Sequence, residues 1–273
     1  GVYHALGLAW IPPELRENQG EIEAAEHGAL PHLIEESDIR GDLHMHTLAS
    51  DGRATLDEMA AAARARGYSY IAITDHSKAL AMANGLDEKR ALAFAAEVRR
   101  FNQAGHSLHV FAGLECDILR DGRLDLAEDA LAQLDFVVAS VHSYMNLEPA
   151  EMTDRLLRAL ESPSVRALAH PTGRVLLHRD AYAYEFETVA REAARRGVWF
   201  EINSSPERLD LHAALIRRAR QLGCRFVIST DAHHPKHLAN IRFGVQMARR
   251  GWLSPADVVN TLDLAAFRAA LQK

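Results

Sequence analysis

The sequence predicts an α/β fold in which seven parallel strands form a barrel with helices on its outer face. Three observations support this class. Near-continuous apolar runs alternate with helical patterns, as in parallel sheets covered by helices. A glycine follows four of the helical patterns, and acidic or imidazole side chains follow most of the apolar runs. A flat doubly wound sheet remains the alternative, because a single sequence separates the two architectures poorly.

The elements are predicted in strict alternation from residue 39 onward. The strands are expected at residues 42–46, 70–74, 108–112, 136–141, 165–169, 198–203 and 225–230. The helices between them are expected at residues 55–66, 87–104, 124–133, 149–161, 185–196 and 210–222, and four of these end at Gly67, Gly105, Gly197 and Gly223, where glycine suits a helix C-terminus. Residues 236–250 and 254–271 are predicted as closing helices, with Ser254 as N-cap before Pro255.

Residues 1–38 differ from the rest of the chain. Pro12 and Pro13 exclude a regular helix or a central strand there, and residues 21–27 predict one short polar helix. The segment is too short to bury a core of its own. We therefore expect a lead-in segment at residues 1–38 and one large domain at residues 39–273.

Composition bounds the class of protein. The chain has 273 residues, 48% hydrophobic and 25% charged, which is ordinary for one large globular domain. Cys116 and Cys224 are too few for a disulfide framework and are expected to be buried thiols of a cytosolic protein. No signal peptide or membrane-spanning run is expected. The net charge of −6 argues against a broadly basic nucleic-acid binder, although bound cations would still attract a phosphate ester.

The first expected strand carries His44 and His46 on one face. Side chains two positions apart on a strand project to the same side, and paired neutral imidazoles are typical metal ligands. An HxH pattern alone is weak evidence. The question is whether other segments bring matching ligands to the same place.

Six of the seven predicted strands end in a His, Asp or Glu. Any one of them alone is better explained as a hydrogen-bonded core histidine or a helix N-cap. Together, however, six imidazoles and three carboxylates would meet at the carboxyl ends of the strands, where α/β barrels assemble their sites, and such a cluster is costly to bury without cations. We predict a multinuclear metal centre of Zn, Mn or Fe, with these ligands: His44, His46, Asp51, His76, Glu115, His142, His170, Asp231 and His233.

The same residues resemble the motifs of the PHP (polymerase and histidinol phosphatase) superfamily over residues 40–250. The resemblance implies a distorted seven-stranded barrel with a trinuclear centre of divalent ions, in which Glu115, Asp231 and His142 are central to catalysis. It assigns one metal to His44, His46, Glu115 and Asp231, a second to Glu115, His142 and His170, and a third to Asp51, His76 and His233. Many members carry His where this chain has Asp51.

A closer resemblance is to the C-terminal PHP domain of bacterial family X DNA polymerases. It is carried by residues 7–16 with 20–25, by residues 170–174 and by residues 202–210. The first of these stretches resembles the end of a polymerase thumb and its linker. The resemblance implies a Mn-supported 3′ to 5′ exonuclease that acts on DNA 3′ ends, is linked to DNA repair and is attached to a polymerase core.

The sequence offers further candidate residues and two other functions. Arg174, Arg208 and Lys78 are candidates to bind the substrate phosphate, Asn203 is a candidate to bind substrate or close the barrel mouth, and Asp75 to orient His76 or cap a helix. A small-molecule phosphatase of the histidinol phosphate type is the alternative function. A scaffold without activity is a third, although no ligand position is missing.

Overall fold

The computed structural model describes residues 1–272, and across them the chain forms one seven-stranded parallel sheet in sequential order β1 to β7. Each strand pairs with the next one along the chain, which makes a nearly closed barrel and confirms the predicted fold class. The strands are Gly41–Asp42 (β1), Tyr70–Ile73 (β2), His109–Asp117 (β3), Phe136–Ser140 (β4), Val165–Leu168 (β5), Trp199–Asn203 (β6) and Phe226–Ser229 (β7).

Helices cover the outside of the barrel. Further helices precede β1 and follow β7 in the chain. The covering helices bury their apolar faces against the strands, as the helical periodicity predicted. The α-helices are Val2–Ala5 (α1), Glu21–Glu26 (α2), Leu56–Ala65 (α3), Glu88–Gln103 (α4), Glu128–Leu131 (α5), Pro149–Ala159 (α6), Phe186–Arg196 (α7), Ala213–Gln221 (α8), Ile241–Arg250 (α9) and Leu264–Leu271 (α10). Short 3₁₀ helices lie at Pro13–Leu15, Glu36–Asp38, Ala81–Ala83, Pro235–Asn240, Pro255–Asp257 and Val259–Thr261.

Several boundaries differ from the prediction. The expected strand at 42–46 is wrong beyond Asp42, and β3 continues past its expected end to Asp117. The helix expected at 124–133 is reduced to α5, because residues 118–125 form an antiparallel turn in which Ile118 pairs with Leu124. The four glycines predicted at helix ends all have positive φ, which confirms their role.

The closing helix expected at 254–271 is broken, and Asn260 explains the break. Its buried side chain accepts a hydrogen bond from Ile228 N and donates to Gly41 O and Ile228 O. It therefore joins β7 to β1, where the barrel has its seam, and a continuous helix would prevent this. Ser254 caps the 3₁₀ turn that follows it, as predicted, and Asp263 caps α10.

The amino end of the barrel is filled by aromatic side chains. Phe267 of α10 is buried and stacks on Tyr70 with ring centroids 4.7 Å apart. The ring centroid of Trp199 lies 5.9 Å from that of Phe267. This plug leaves the carboxyl end as the open face. No helix among residues 1–272 is both long enough and apolar enough to cross a bilayer.

Residues 1–38 pack against α9 and the turn after it. Ile11 and Leu15 form a small apolar cluster with Trp252, and Arg249 of α9 binds Glu14 at 2.8 Å. Within the described chain this segment covers the outside of the barrel on the side of α9.

Candidate metal centre

The nine predicted ligand side chains meet at the carboxyl end of the barrel. Their nitrogen and oxygen atoms fall into groups whose members lie within 4.8 Å of one another. The groups are His44, His46 and Asp231; His76, Glu115 and His142; and His46, Asp51, His76 and His233. His170 joins them, because its Nε2 lies 2.9 Å from Glu115 Oε1.

Glu115 of β3 lies at the centre of this cluster and is buried. Its Oε1 faces His170 and, at 3.3 Å, His142 Nε2. Its Oε2 lies 3.4 Å from His44 Nε2 and 2.8 Å from His76 Nδ1. One carboxylate therefore faces imidazoles on both sides, as a ligand shared by two ions does.

The donor spacing fits divalent cations. Two ligands about 2.1 Å from one metal at octahedral or tetrahedral angles lie roughly 3.0–3.4 Å apart, and the contacts of Glu115 fall near this range. Hydrogen bonding does not account for the cluster, since several of its buried atoms find no hydrogen-bond partner among the described residues. These atoms are His44 Nε2, His46 Nδ1, His76 Nδ1, Glu115 Oε2 and His170 Nδ1.

The carboxylates of the cluster are ionised in the metal-free protein. Burial raises the pKa of Glu115, but the charges of His76 and His142 outweigh it and hold that pKa well below its usual value. Asp231 behaves in the same way, since His44, His46 and His233 together lower its pKa more than burial raises it. These two acids are therefore ready to bind cations at neutral pH.

The imidazoles divide into two classes. Burial opposes the charged form of each ring, but Glu115 and Asp117 raise the pKa of His142 to about 10. In the same way Asp51 and Asp231 raise the pKa of His233 to about 9. Burial lowers the pKa of His46 to about 3. His142 and His233, whose pKa values are raised, hold protons that a bound metal would displace.

Residues 43–46, which follow β1, are held by separate hydrogen bonds to neighbouring segments and not by continuous β-strand pairing. Met45 N donates to Thr74 Oγ1 at 3.1 Å, and His46 N donates to Ala232 O at 2.9 Å. Asp75 accepts hydrogen bonds from Thr47 N and from the Ser50 hydroxyl. Asp75 therefore fixes the loop that carries Asp51, a role that differs from the two predicted for it, which were to orient His76 or to cap a helix.

Two of the candidate ligands have strained backbones. His170 has φ of 26° and Asp231 has φ of 54°, and non-glycine residues adopt positive φ at a cost of roughly 1–3 kcal/mol each. Such strain persists where the surrounding structure fixes it, typically at functional sites. Both side chains contact other members of the cluster, His170 through Glu115 at 2.9 Å and Asp231 through His46 at 3.1 Å.

Sequence reasoning missed two carboxylates that orient these ligands. Glu201 of β6 accepts a hydrogen bond from His44 Nδ1 at 2.7 Å and another from His170 N at 2.6 Å. Asp117 of β3 accepts from His142 Nδ1 at 2.7 Å. An acidic residue inside an apolar strand was the available signal for Glu201. Asn203, predicted to bind substrate or close the barrel, instead donates to Glu201 and Asp231.

Replacing Glu201 with Gln is expected to lower the affinity for the metal ions about 10- to 100-fold, as loss of such outer carboxylates typically does. Glutamine has one acceptor oxygen and no negative charge, so it cannot accept the hydrogen bonds from His44 Nδ1 and His170 N at two separate carboxylate oxygens as Glu201 does. Equilibrium dialysis with Mn²⁺ measures the effect. Glu97→Gln, on the exposed surface of α4, is the matched control, and equal affinities of the two variants would contradict the role.

The three basic candidates lie in different settings. Arg208 Nε is 3.6 Å from Asp231 Oδ2, so it borders the cluster. Arg174 donates to the backbone carbonyls of Arg208 and Leu209, and therefore supports the loop that carries Arg208. Lys78 pairs with Glu88 at 2.6 Å and is 44% exposed. Of the three, Arg208 is the one placed beside the predicted ligands.

Asp210 joins the loops after β5 and β6 behind Arg208. Its Oδ2 accepts from Thr172 N at 2.9 Å, and its backbone carbonyl accepts from Asn203 N. Burial raises the pKa of this carboxyl to about 6. Asp210 therefore takes up a proton in the folded protein at a pH where the unfolded chain does not.

Between about pH 4 and pH 6 this proton uptake makes the free energy of unfolding fall as pH rises. Asp210→Asn removes the effect, so its stability relative to the parent is expected to increase across that window by up to about 3 kcal/mol. Urea unfolding with a chelator present measures it. Asp154→Asn, at an exposed position, controls for the lost charge, and a pH-independent difference at Asp210 would contradict the assignment.

Comparison with known proteins assigns the chain to a protein family. A model of the PHP domain matches residues 42–205. The chain is 39% identical over 271 residues, 99% of its length, to a Bacillus subtilis (strain 168) protein named DNA polymerase/3′-5′ exonuclease PolX. The match covers 47% of that protein, so the chain spans about half the length of this relative.

Smaller relatives match as well. A probable phosphatase of Acetivibrio thermocellus is 32% identical over 205 residues, covering 70% of this chain and 78% of that one. The structure of histidinol phosphate phosphatase from Lactococcus lactis subsp. lactis Il1403, complexed with zinc, L-histidinol and phosphate, has a TM-score of 0.51 at 17% identity. That match covers 77% of this chain and 93% of the other, and it shows a common fold alone. The chain belongs to the PHP domain family and is a metal-dependent phosphoesterase.

Proposed function

We propose that this domain is a 3′ to 5′ exonuclease that removes nucleotides from the 3′ end of DNA with Mn²⁺ as the supporting ion. The observation that carries the proposal is the 39% identity, over 99% of this chain, to a relative named as polymerase and exonuclease. By the same argument, the domain would be the C-terminal part of a family X polymerase that acts in DNA repair in the cytoplasm. The polymerase core would then be its partner.

The nine donors would hold three divalent ions, Mn or Zn and, as a further candidate, Fe. Glu115 would be shared between the ion of His44, His46 and Asp231 and the ion of His142 and His170. Bound cations supply a water whose pKa falls from 15.7 toward about 7, and they neutralise charge on phosphate. Glu115, Asp231 and His142 would contribute to catalysis by holding these ions.

Two members of the third group of donors, Asp51 and His233, are accessible. The side chains of Asp51 and His233 are 35% and 30% exposed, whereas that of Glu115 is 1% exposed. A DNA end would therefore approach from the side of Asp51 and His233. In the reaction, a water oxygen bonds to phosphorus, the bond from phosphorus to the preceding 3′ oxygen breaks, and that oxygen takes a proton.

The experiment follows release of mononucleotides from a 3′-labelled DNA strand by purified protein with Mn²⁺. Release of the labelled terminal nucleotide as a mononucleotide supports the proposal. The second candidate is a small-molecule phosphatase, favoured by the identity to the Acetivibrio phosphatase. Turnover of histidinol phosphate in place of oligonucleotide would establish that candidate instead.

Arg208→Ala is expected to lower kcat/KM for oligonucleotide about 10- to 100-fold, because a charge-assisted hydrogen bond to phosphate contributes roughly 1.5–3 kcal/mol. Lysine at this position would restore little, since it lacks the planar fork of arginine. Steady-state kinetics measure the effect. Arg100→Ala, on the exposed side of α4, is the control, and equal kinetics for both variants would remove Arg208 from phosphate binding.

A further inference from the structure

A cavity of about 420 Å³ opens beside the metal centre, between the loops that follow β6 and β7. Asp231 and His233 form its inner wall, together with Arg208. We call it the β6–β7 cavity. The nine-ligand prediction does not involve its outer wall, which consists of residues 205–207, His237 and Asn240.

The inner wall provides the chemistry of a phosphate site. Arg208 Nε lies 3.6 Å from Asp231 Oδ2, and Arg208 Nη1 is buried without a hydrogen-bond partner among residues 1–272. An unpartnered guanidinium nitrogen is costly to bury, and a phosphate oxygen would satisfy it. A phosphate bound here would contact both Arg208 and the ions held by Asp231 and His233.

The outer wall provides the chemistry of a nucleoside site. The cavity lies within the range of roughly 300–1,000 Å³ that is typical of small-molecule sites, and this is far more room than one phosphate needs. The exposed ring of His237 offers a flat aromatic surface on which a base can stack. Asn240 offers an amide that can both donate and accept hydrogen bonds.

We propose that the β6–β7 cavity binds the sugar and base of the 3′-terminal nucleotide, and that it therefore binds nucleoside 5′-monophosphates. This inference rests on the proposed function, whose product is such a monophosphate. It adds residues that determine specificity, since Asn240 and His237 would contact the part of the substrate that does not react.

Titration calorimetry of the Mn²⁺-loaded full chain tests the inference without any turnover. Thymidine 5′-monophosphate is expected to bind at least tenfold more tightly than inorganic phosphate. Asn240→Trp, which fills the outer part of the cavity, is expected to abolish that preference and leave phosphate binding at the inner wall unchanged. Ala239→Trp is the matched control, because Ala239 is the exposed neighbour in the same 3₁₀ helix and does not line the cavity.

Equal affinity of the unsubstituted protein for the two probes would overturn the inference. A retained preference in Asn240→Trp would do the same, and Asn240→Ala, which removes the amide without adding bulk, serves if the larger variant fails to fold. In that variant the preference is expected to fall severalfold, and an unchanged preference would again overturn the inference.

The outcome is independent of nuclease activity. Nucleotide preference without release of mononucleotides from DNA would refute the proposed function alone, and exonuclease activity without nucleotide preference would refute the cavity alone.

Discussion

Glu115→Gln is expected to reduce Mn²⁺-dependent release of mononucleotides at least a thousandfold, which corresponds to about 4 kcal/mol of transition-state stabilisation. Glutamine keeps the shape of the side chain and one acceptor oxygen but has no negative charge. Because Glu115 faces imidazoles through both oxygens, the substitution weakens two ion sites together. Loss at this position should therefore exceed loss at an outer carboxylate such as Glu201.

Three measurements on this variant separate chemistry from folding. Elemental analysis is expected to find fewer bound ions, steady-state kinetics to find the lost turnover, and circular dichroism to find an unchanged fold. Glu97→Gln on the exposed face of α4 is the matched control. Full activity of Glu115→Gln with fewer bound ions would separate the metal cluster from the reaction.

The sequence was sufficient to predict parallel strands covered by helices, because these follow from local patterns, whereas the barrel was separated from a flat doubly wound sheet by the resemblance to the PHP superfamily. Apolar runs of strand length and helices ended by glycine describe an α/β fold with parallel strands, and acids and imidazoles at the strand ends indicate its functional face. It was not sufficient to predict β1. The backbone N–H of His46 donates to the carbonyl of Ala232, a residue 186 positions away in the chain. No local sequence pattern shows that the regular strand pairing of β1 ends at Asp42.

The supporting residues were missed for the same reason. Glu201 orients His44 across 157 positions, and its strand was considered free of ligands because its end carries Asn203. Arg174 and Arg208 are similar in sequence context, yet one supports a loop and the other borders the cluster. Which arginine is available depends on packing between the loops after β5 and β6, and spacing along the chain does not encode that packing.

Metal ions are expected to stabilise the folded chain strongly, and more strongly as pH rises. An ion that binds only the folded state at a hundred times its Kd contributes about 2.7 kcal/mol, so three such sites together contribute about 8 kcal/mol. The pKa values of His142 and His233, about 10 and about 9 in the metal-free protein, set the pH dependence. Stability from these protonated rings is present below about pH 6.5 and is lost as pH rises through 9 to 10.

Metal binding must displace these protons, and that displacement provides a direct measurement. The pKa of His44 is also raised well above its usual value, since Glu201 and Glu115 outweigh the effect of burial. Adding Mn²⁺ or Zn²⁺ to metal-free protein at pH 7.5 in weak buffer is therefore expected to release two to three protons per chain, read with an indicator dye. Thermal unfolding with and without the ion should show a gain in Tm that is larger at pH 8.5 than at pH 6.5.

His142→Asn removes one of the titrating rings and should reduce the proton count by about one, whereas replacement of the exposed His106 by Asn should leave it unchanged. Binding without proton release would mean that the rings are neutral before the ion arrives, and the electrostatic description of the cluster would then be wrong.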